Sequence, residues 1–466
     1  MSAVSPLSQP ASTNLLPRVE GAPAGPVGRY RWTICGLLFF SVAINYIDRN
    51  IIGILKMPLS KELGWSETDY AHIASAFQMA YAFGYLFGGR VIDWLGVKKG
   101  LPWFVLLWSL AAAAHGLVSF ISHDARFTFG LGWIGSAANW TLPATVLGFM
   151  SARMALGLAE GGNFPGAIKT VAEWFPVKER AFATGIFNAG TNVGAVLCPI
   201  TVPWLCGHVG WAMTFYITGS LGVVWLAFWW WLYEAPEKHP RVSSAELAYI
   251  QAGQPASTSK PEPVPLLSLF RHRPVWAYLI ASILAGPVWG IYMFYFPDFM
   301  QKTFHLGLAD VGKWTAVFYL FASLGGVGGG WLAGRLIGKG WSVNKARKFT
   351  LLLCALAVVP IFLAPYAPSA LVAVLIVGLA GSAHQGWSAN LYSVVSDTMP
   401  KNAVSSTVGL GGFVAFMTGA VVAEAIGAVL QRTGSYTLIF ATASLLYLIS
   451  LAAVHLLVPR IGEKTT

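Results

Sequence analysis

Charge is scarce in this chain: Asp, Glu, Lys and Arg make up 11% of its 466 residues, whereas 56% are hydrophobic. A soluble globular domain carries roughly twice that charged fraction, about 25%, so an ordinary soluble fold is excluded. Cysteine is nearly absent as well. Cys35, Cys198, Cys206 and Cys354 all sit in apolar runs without CxxC or metal-ligand spacing, which argues against a disulfide scaffold or a zinc site and leaves them as small packing residues. The apolar runs hold no nucleophile with its base, no metal-ligand cluster and no nucleotide loop, so an enzyme is not expected. There is also no long polar segment of the kind a sensor needs for a signalling domain: the largest are residues 1–28 and 233–273.

What the chain has instead is hydrophobic length. About 20 apolar residues cross the roughly 30 Å of hydrocarbon in a bilayer, and such runs lie near 31–55, 70–92, 101–121, 143–170, 181–207 and 211–232. A second set lies near 275–300, 311–337, 349–367, 370–395, 403–430 and 435–457. The expected fold is an all-α membrane protein of twelve transmembrane helices in two six-helix bundles, 29–232 and 274–458, with tails at 1–28 and 459–466. With both termini cytoplasmic, the inside segments hold 20 Lys and Arg and the outside segments six, namely Lys56, Lys61, Arg126, Lys302, Lys313 and Arg432. That bias matches the positive-inside rule. The net charge of +11 therefore reads as topology and attraction to the lipid bilayer, not as nucleic-acid binding.

The two sets are related by an internal repeat. An offset of 241 superposes Asp69, Gly84, Gly88 and Gly89 on Asp310, Gly325, Gly329 and Gly330, and an offset of 224 superposes Glu173, Pro176 and Gly185 on Asp397, Pro400 and Gly409. The difference of 17 residues places an insertion in the first half, best fitted to the outside segment 122–142 as a surface helix or hairpin. The segment 233–273 reads as a cytoplasmic linker, with a helix start at Ser243-Ser244-Ala245-Glu246.

Within this apolar background a few charges stand deep in the spans. Asn45-Tyr46-Ile47-Asp48-Arg49-Asn50 sits inside the first run, and a charge near the bilayer centre costs roughly 2.5–3.5 kcal/mol, so such residues normally face a cavity or an ion path. Arg153 and Glu160 are seven residues apart in the fourth run, two helical turns, and share one face. Asp48 with Arg153 is alternatively a purely structural ion pair, and Glu160 a permanently protonated hydrogen-bonding group. Tyr46, Tyr81, Trp289, Tyr292 and Trp387 are aromatic candidates for a cavity wall, with plain packing as the alternative. His384 reads as packing; Asp298 and Glu424 lie near outside span ends where solvent suffices.

Gly89-Arg90-Val91-Ile92-Asp93-Trp94-Leu95-Gly96-Val97-Lys98-Lys99 resembles the signature loop of the major facilitator superfamily, with Trp where that loop usually has Arg. Its counterpart, Gly330-Trp331-Leu332-Ala333-Gly334-Arg335, lacks the acid, so a latch between the halves through Gly89, Asp93, Gly96 and Lys98 is expected in the first half only. Asp48, Arg49, Arg153 and Glu160, with Gly161-Gly162-Asn163-Phe164-Pro165, Glu173-Trp174-Phe175-Pro176 and Ala383-His384-Gln385-Gly386-Trp387-Ser388-Ala389-Asn390, resemble the anion:cation symporter family and, within it, bacterial hexuronate symporters. The resemblance covers about residues 30–458 and implies a functional monomer in the bacterial cytoplasmic membrane. The implied activity is proton-coupled import of a sugar acid or related small anionic carboxylate, without cofactor or metal, the proton being the coupling ion. It further implies that Arg49 binds the substrate carboxylate, that Asp48 and Glu160 carry protons beside Arg153, and that Asn45, Tyr46, Tyr81, Trp289, Tyr292, Gln385, Trp387, Ser388 and Asn390 contact the substrate. Anion exchange or sodium coupling is the competing transport cycle.

The topology is directly testable. An impermeant thiol reagent applied to cells is expected to label a cysteine introduced beside Asp124 or Arg432, and not one beside Lys98 or Lys260; the reverse pattern overturns the orientation.

Overall fold

The computed structural model describes residues 28–130, 139–251 and 266–461; most of the N-terminal tail, the tip of the 122–142 insertion and the middle of the linker lie outside the described residues. The first half contains α1 (Tyr30–Ile54), α2 (Glu67–Leu95), α3 (Val97–Leu117) and α4 (Ala144–Glu160). Val177–Leu232 then runs as one helical stretch that breaks at Gly210 (φ 78°) into α5 (177–209) and α6 (211–232). The second half contains α7 (Arg273–Phe304), α8 (Leu308–Gly338), α9 (Val343–Tyr366), α10 (Ala370–Thr398), α11 (Lys401–Thr433) and α12 (Thr437–Leu457). Among the described residues, nine helical stretches are long and apolar enough to cross a membrane. One of the nine holds both α5 and α6, and α2 and α4 complete the expected twelve.

Local sequence explains the element ends. Ser66 caps α2, accepting from the Asp69 amide while the Asp69 carboxylate accepts from the Ser66 amide, a reciprocal box that satisfies two otherwise orphaned donors. The run expected at 143–170 is interrupted: α4 stops at Glu160, Gly161-Gly162 form a turn, and a separate helix, Asn163–Trp174, follows. The four charges of α2, Glu67, Asp69, Arg90 and Asp93, are confined to its two ends. Two faces of the bundle follow from this, one carrying Lys56 at the far end of α1 and one carrying Lys98 at the start of α3.

The internal repeat is present in the packing. Helix α1 packs on α5 as α7 packs on α11; α2 packs on α4 as α8 packs on α10; and between the halves α2 meets α11 as α8 meets α5. A Cβ on Gly84 would strike the Leu158 carbonyl and one on Gly325 the Ser382 carbonyl; a Cβ on Gly88 would strike Gly162 and one on Gly329 would strike Gly386. Gly84 and Gly88 map onto Gly325 and Gly329 with the offset of 241, and Leu158 and Gly162 map onto Ser382 and Gly386 with the offset of 224. The repeat thus retains two close backbone approaches in both halves.

The insertion is a hairpin: β1 (Arg126–Gly130) pairs antiparallel with β2 (Asn139–Pro143). The linker begins docked on the first half. Ser243 accepts from the Glu246 amide at 3.1 Å to start the helix Ser244–Gln251. The buried Glu246 carboxylate accepts from the Arg31 amide at 3.2 Å and side chain at 3.3 Å. His239 lies against Tyr30 with ring centroids 4.3 Å apart, and burial holds its imidazole below its ordinary value.

The signature loop corrects one expectation. The close approach belongs to Gly88, whereas a Cβ on Gly89 would sit at an ordinary 3.5 Å from Pro165. Asp93 bonds Lys169 at 2.7 Å and Lys98 bonds Glu234, both partners lying in or at the end of the same half, so among the described residues neither is bonded across to the other half. The Lys98 ammonium holds the Glu234 carboxyl below the usual carboxylate range. Gly96, at φ 74°, supplies the left-handed residue that lets α2 turn into α3.

Backbone contact at α2/α4 makes a sharp comparison. Gly84→Val is expected to force the helices apart and to cost about 1–3 kcal/mol, read as a lowered melting midpoint of the purified protein in detergent; Gly89→Ala is expected to melt like the parent.

Candidate functional site

Asp48 and Arg49 are consecutive on α1, so their side chains leave the helix about 100° apart and enter different surroundings. Arg49 points across to α2 and α4. Its Nε donates to Glu160 Oε2 at 2.8 Å and one terminal nitrogen to Asn45 Oδ1 at 3.0 Å. Three rings enclose the guanidinium, with centroids 4.4 Å (Tyr81), 4.9 Å (Tyr46) and 5.8 Å (Phe77) from its central carbon. Cation–π attraction strengthens when both partners are desolvated, and Arg49 is only 5% exposed and Glu160 1%.

The partner of Glu160 is therefore Arg49, not Arg153. Sequence spacing put Arg153 and Glu160 on one face of α4, but a seven-residue separation is about 10 Å along the axis, and Arg49 from α1 fills the nearer position. Arg153, fully buried, instead donates to the backbone carbonyls of Arg49 at 3.3 Å and Asp48 at 3.5 Å. Asp48 lies inside the half-bundle beside Thr218 and Cys198, with no cation within ion-pair distance among the described residues. The structural Asp48–Arg153 bridge is thus not formed in this state.

Among the described residues, several polar atoms at this cluster have no hydrogen-bond partner: Glu160 Oε1, Asn45 Nδ2, and Arg153 Nε and one terminal nitrogen. A buried unsatisfied polar group costs about 1–3 kcal/mol, so such a concentration makes the cluster a candidate functional site. Chemically the cluster offers two carboxyl groups able to hold protons and a fixed guanidinium able to hold an anion.

The second half contributes aromatic and neutral polar groups. Trp289 stacks on His384 at 5.0 Å and 20° between planes; the His384 ring is hydrogen-bonded to the Tyr447 hydroxyl, with Ser388 Oγ 3.5 Å from its other nitrogen. His384 therefore backs Trp289 rather than packing alone, a link that sequence reasoning missed. Tyr292 meets Trp289 edge-on at 6.2 Å, and its hydroxyl has no partner among the described residues. Gln385 and Ser388 are half-buried, whereas Trp387 is enclosed against Tyr447 at 5.4 Å. Asn390 is not brought to this group: its amide donates to the Gly329 and Gly386 carbonyls at 3.0 and 2.9 Å and its oxygen lies 3.4 Å from an Arg347 donor, so it braces α8 against α10.

Bonds that join the halves gather between this level and the Lys56 face. Tyr319 donates to Asn50 Oδ1 at 2.5 Å, Gln78 to the Gly419 carbonyl at 3.0 Å and Tyr70 to the Phe294 carbonyl at 2.8 Å. Asp298, expected to be solvated, is 1% exposed and is held by Lys56, Lys302 and Tyr436. A polar residue just past an apolar run gave no sign of this, because its partners come from three distant segments.

Comparison with known proteins places the whole chain. The family model described as Major Facilitator Superfamily matches residues 38–423. The chain is 30% identical over 413 residues to the hexuronate transporter of Escherichia coli (strain K12), covering 87% of this chain and 88% of that one. It is 31% identical over 345 residues to the galacturonate transporter of Dickeya chrysanthemi, covering 72% and 92%. It is 29% identical over 426 residues to the probable galactarate/D-glucarate transporter GudP of Bacillus subtilis (strain 168), covering 89% of each. Among solved structures, the D-xylose-proton symporter superposes with a TM-score of 0.68 at 14% identity over 94% of this chain and 100% of that one. A bacterial homolog of the lysosomal transporter Spinster gives 0.65 at 18% identity, over 93% and 96%.

The Arg49–Glu160 bond makes a stability prediction independent of transport. Removing either partner alone leaves an uncompensated buried charge, about 3–5 kcal/mol. Arg49→Met and Glu160→Met should each lower the melting midpoint of the purified protein, and the double variant should lose clearly less than the sum of the two.

Proposed function

The chain belongs to the Major Facilitator Superfamily, and we propose that it is a proton-coupled carrier that imports a hexuronate or related sugar acid across the bacterial inner membrane by alternating access. The observation that carries this reading is the bond between Arg49 and Glu160. A guanidinium remains charged and holds a carboxylate in a planar fork. Here one edge of that fork is taken by a carboxylate that can itself accept a proton. While Glu160 is ionised, it and an incoming carboxylate compete for Arg49. Once Glu160 is protonated its claim lapses, and the substrate anion takes its place against the same cation. Proton and anion are thereby favoured together, which is the thermodynamic content of symport.

In either form the Arg49 charge keeps a counter-anion, so neither the empty nor the loaded carrier moves an unpaired buried charge. Asp48, enclosed in the half-bundle and close to Arg153, is the second proton-holding candidate. The Tyr46, Tyr81 and Phe77 rings fix the guanidinium. From the second half, Trp289 offers a face to the carbon skeleton, while Gln385 and Ser388 are the candidates to bond its hydroxyls. Support for a polyhydroxy carboxylate also comes from the names of the similar proteins, which carry hexuronate, galacturonate or galactarate. The surplus of Lys and Arg toward the Lys98 face supports a cytoplasmic assignment for that face, with both chain ends on it.

Paired assays on the same proteoliposomes test the reading. The parent is expected to accumulate labelled galacturonate or glucuronate when the outside is acidified, without sodium. Glu160→Gln mimics the protonated acid but cannot release a proton, so it is expected to retain counterflow exchange and to lose accumulation driven by the pH gradient. Arg49→Lys keeps the charge without the fork and is expected to weaken binding about tenfold or more, and Arg49→Ala to abolish it. A Glu160→Gln protein that concentrates substrate like the parent overturns the coupling role.

A further inference from the structure

The Lys56 face carries a second buried charge cluster, separate from the Arg49 site. Lys56 follows α1, Glu67 begins α2, and Asp298 and Lys302 stand one turn apart near the end of α7. Lys56 Nζ lies 2.7 Å from Glu67 Oε2 and 2.6 Å from Asp298 Oδ2. Lys302 Nζ lies 3.1 Å from Asp298 Oδ2 and also bonds Glu67 Oε1. The four charges form a closed ring in which each lysine touches both acids. One side of the ring is shielded: Lys56 is 2% exposed and Asp298 1%, whereas the Glu67 and Lys302 side chains are partly exposed, and the Lys56 ammonium stands over the rings of Tyr70 at 4.7 Å and Tyr295 at 5.4 Å. Tyr436 also donates to Asp298.

The ring has a particular symmetry. Lys56–Glu67 joins two residues of the first half and Lys302–Asp298 two of the second, whereas Lys56–Asp298 and Lys302–Glu67 cross between the halves. Each half therefore contributes one cation and one anion. If the halves part at this face, both crossing pairs break, yet each half keeps a neutral pair of its own. A single lysine–aspartate bridge would instead leave one bare charge on each side, a cost of several kcal/mol per ion before water reaches it.

We propose that Lys56, Glu67, Asp298 and Lys302 form a self-neutral gate that holds the Lys56 face shut and opens by giving up its two crossing pairs while retaining its two internal ones. The gate is distinct from the proton site: its members differ, and its role is to set how often this face is closed. It rests on the alternating movement proposed above, but not on the identity of the cargo or on proton coupling. Gln431, whose side chain accepts from the Glu67 amide at 3.1 Å, and the His72–Glu424 pair at 2.7 Å also cross between the halves at this face and lie outside the ring.

The ring geometry dictates an inversion experiment that a simple bridge would not. Exchanging Lys56→Glu with Glu67→Lys keeps the first half's own pair but sets like charge against like at both crossings. Adding Asp298→Lys and Lys302→Glu inverts the second half too, restoring attraction at all four contacts. The readout is the rate at which an impermeant thiol reagent, applied outside intact cells, labels Met293→Cys in a background with the four native cysteines replaced by alanine. Met293 lies in the buried contact of α7 with Gly53 of α1.

The half-inverted protein is expected to label about tenfold faster than the parent, the ratio that corresponds to a shift of 1.4 kcal/mol, and the fully inverted protein to return close to the parental rate. A half-inverted protein that labels at the parental rate overturns the gate. So does a folded, fully inverted protein that labels as fast as the half-inverted one. Should the inverted chains fail to fold, Asp298→Asn serves alone: it removes one crossing attraction while Lys56 keeps Glu67, and it is expected to raise the rate, an unchanged rate again overturning the gate. Labelling is measured without substrate or pH gradient, so failure here and failure of the counterflow and uptake assays are distinguishable.

Discussion

An ionised group enclosed in an apolar bundle has to find its countercharge within a few ångströms, since the penalty for leaving it alone is several kcal/mol. The Arg49–Glu160 bond meets that constraint at the centre of this protein. Everything near it is arranged around one guanidinium: Asn45 one turn earlier on α1 occupies a terminal nitrogen, three aromatic rings enclose the charge, and Arg153 ties down the carbonyls of the turn that carries it. In the proposed cycle the same bond becomes a transport device. A counter-anion that can be protonated is one that can be replaced, and a replaceable counter-anion is a binding site.

The scaffold that holds this arrangement is the repeated half. Backbone contact at Gly84 and Gly88, and again at Gly325 and Gly329, brings α2 close onto α4 and α8 close onto α10. Interfaces of small residues allow such approach without polar side chains. Between the halves there are close backbone approaches too, Gly53 against the Met293 carbonyl and Gly312 against the Pro199 carbonyl, joined by side-chain hydrogen bonds and ion pairs such as Tyr319–Asn50 and Lys56–Asp298. The movement proposed for the two halves requires those polar contacts to exchange.

The two buried charge clusters solve the same electrostatic problem in different ways. At the Arg49 site the balance is left incomplete, with unpartnered atoms on Glu160, Arg153 and Asn45. At the Lys56 face each lysine touches two carboxylates, and among the described residues Asp298 Oδ1 alone of that ring lacks a partner.

Much of this was written in the sequence. Hydrophobic run length determined the twelve spans, because the bilayer thickness sets the helix length, and the paired offsets of 241 and 224 showed the two halves to be related. The depth of Asp48, Arg49, Arg153 and Glu160 in apolar runs made them candidates for function, since charge at that depth is otherwise disfavoured. What the sequence left open was who pairs with whom. Helical periodicity relates residues on one helix, so it offered Arg153 for Glu160, but the pairing depends on how α1 is rotated and set against α4, which the packing of both against their neighbours decides. For the same reason Asn390 passed for a substrate contact and proved to be a brace, the Asp93 latch is closed on its own half, and Asp298 passed for a solvated end when Lys56, Lys302 and Tyr436 enclose it. Composition and spacing determined which residues carry charge into the membrane; only the tertiary structure decided their partners, because an ion pair depends on distances between helices that no one-dimensional pattern contains.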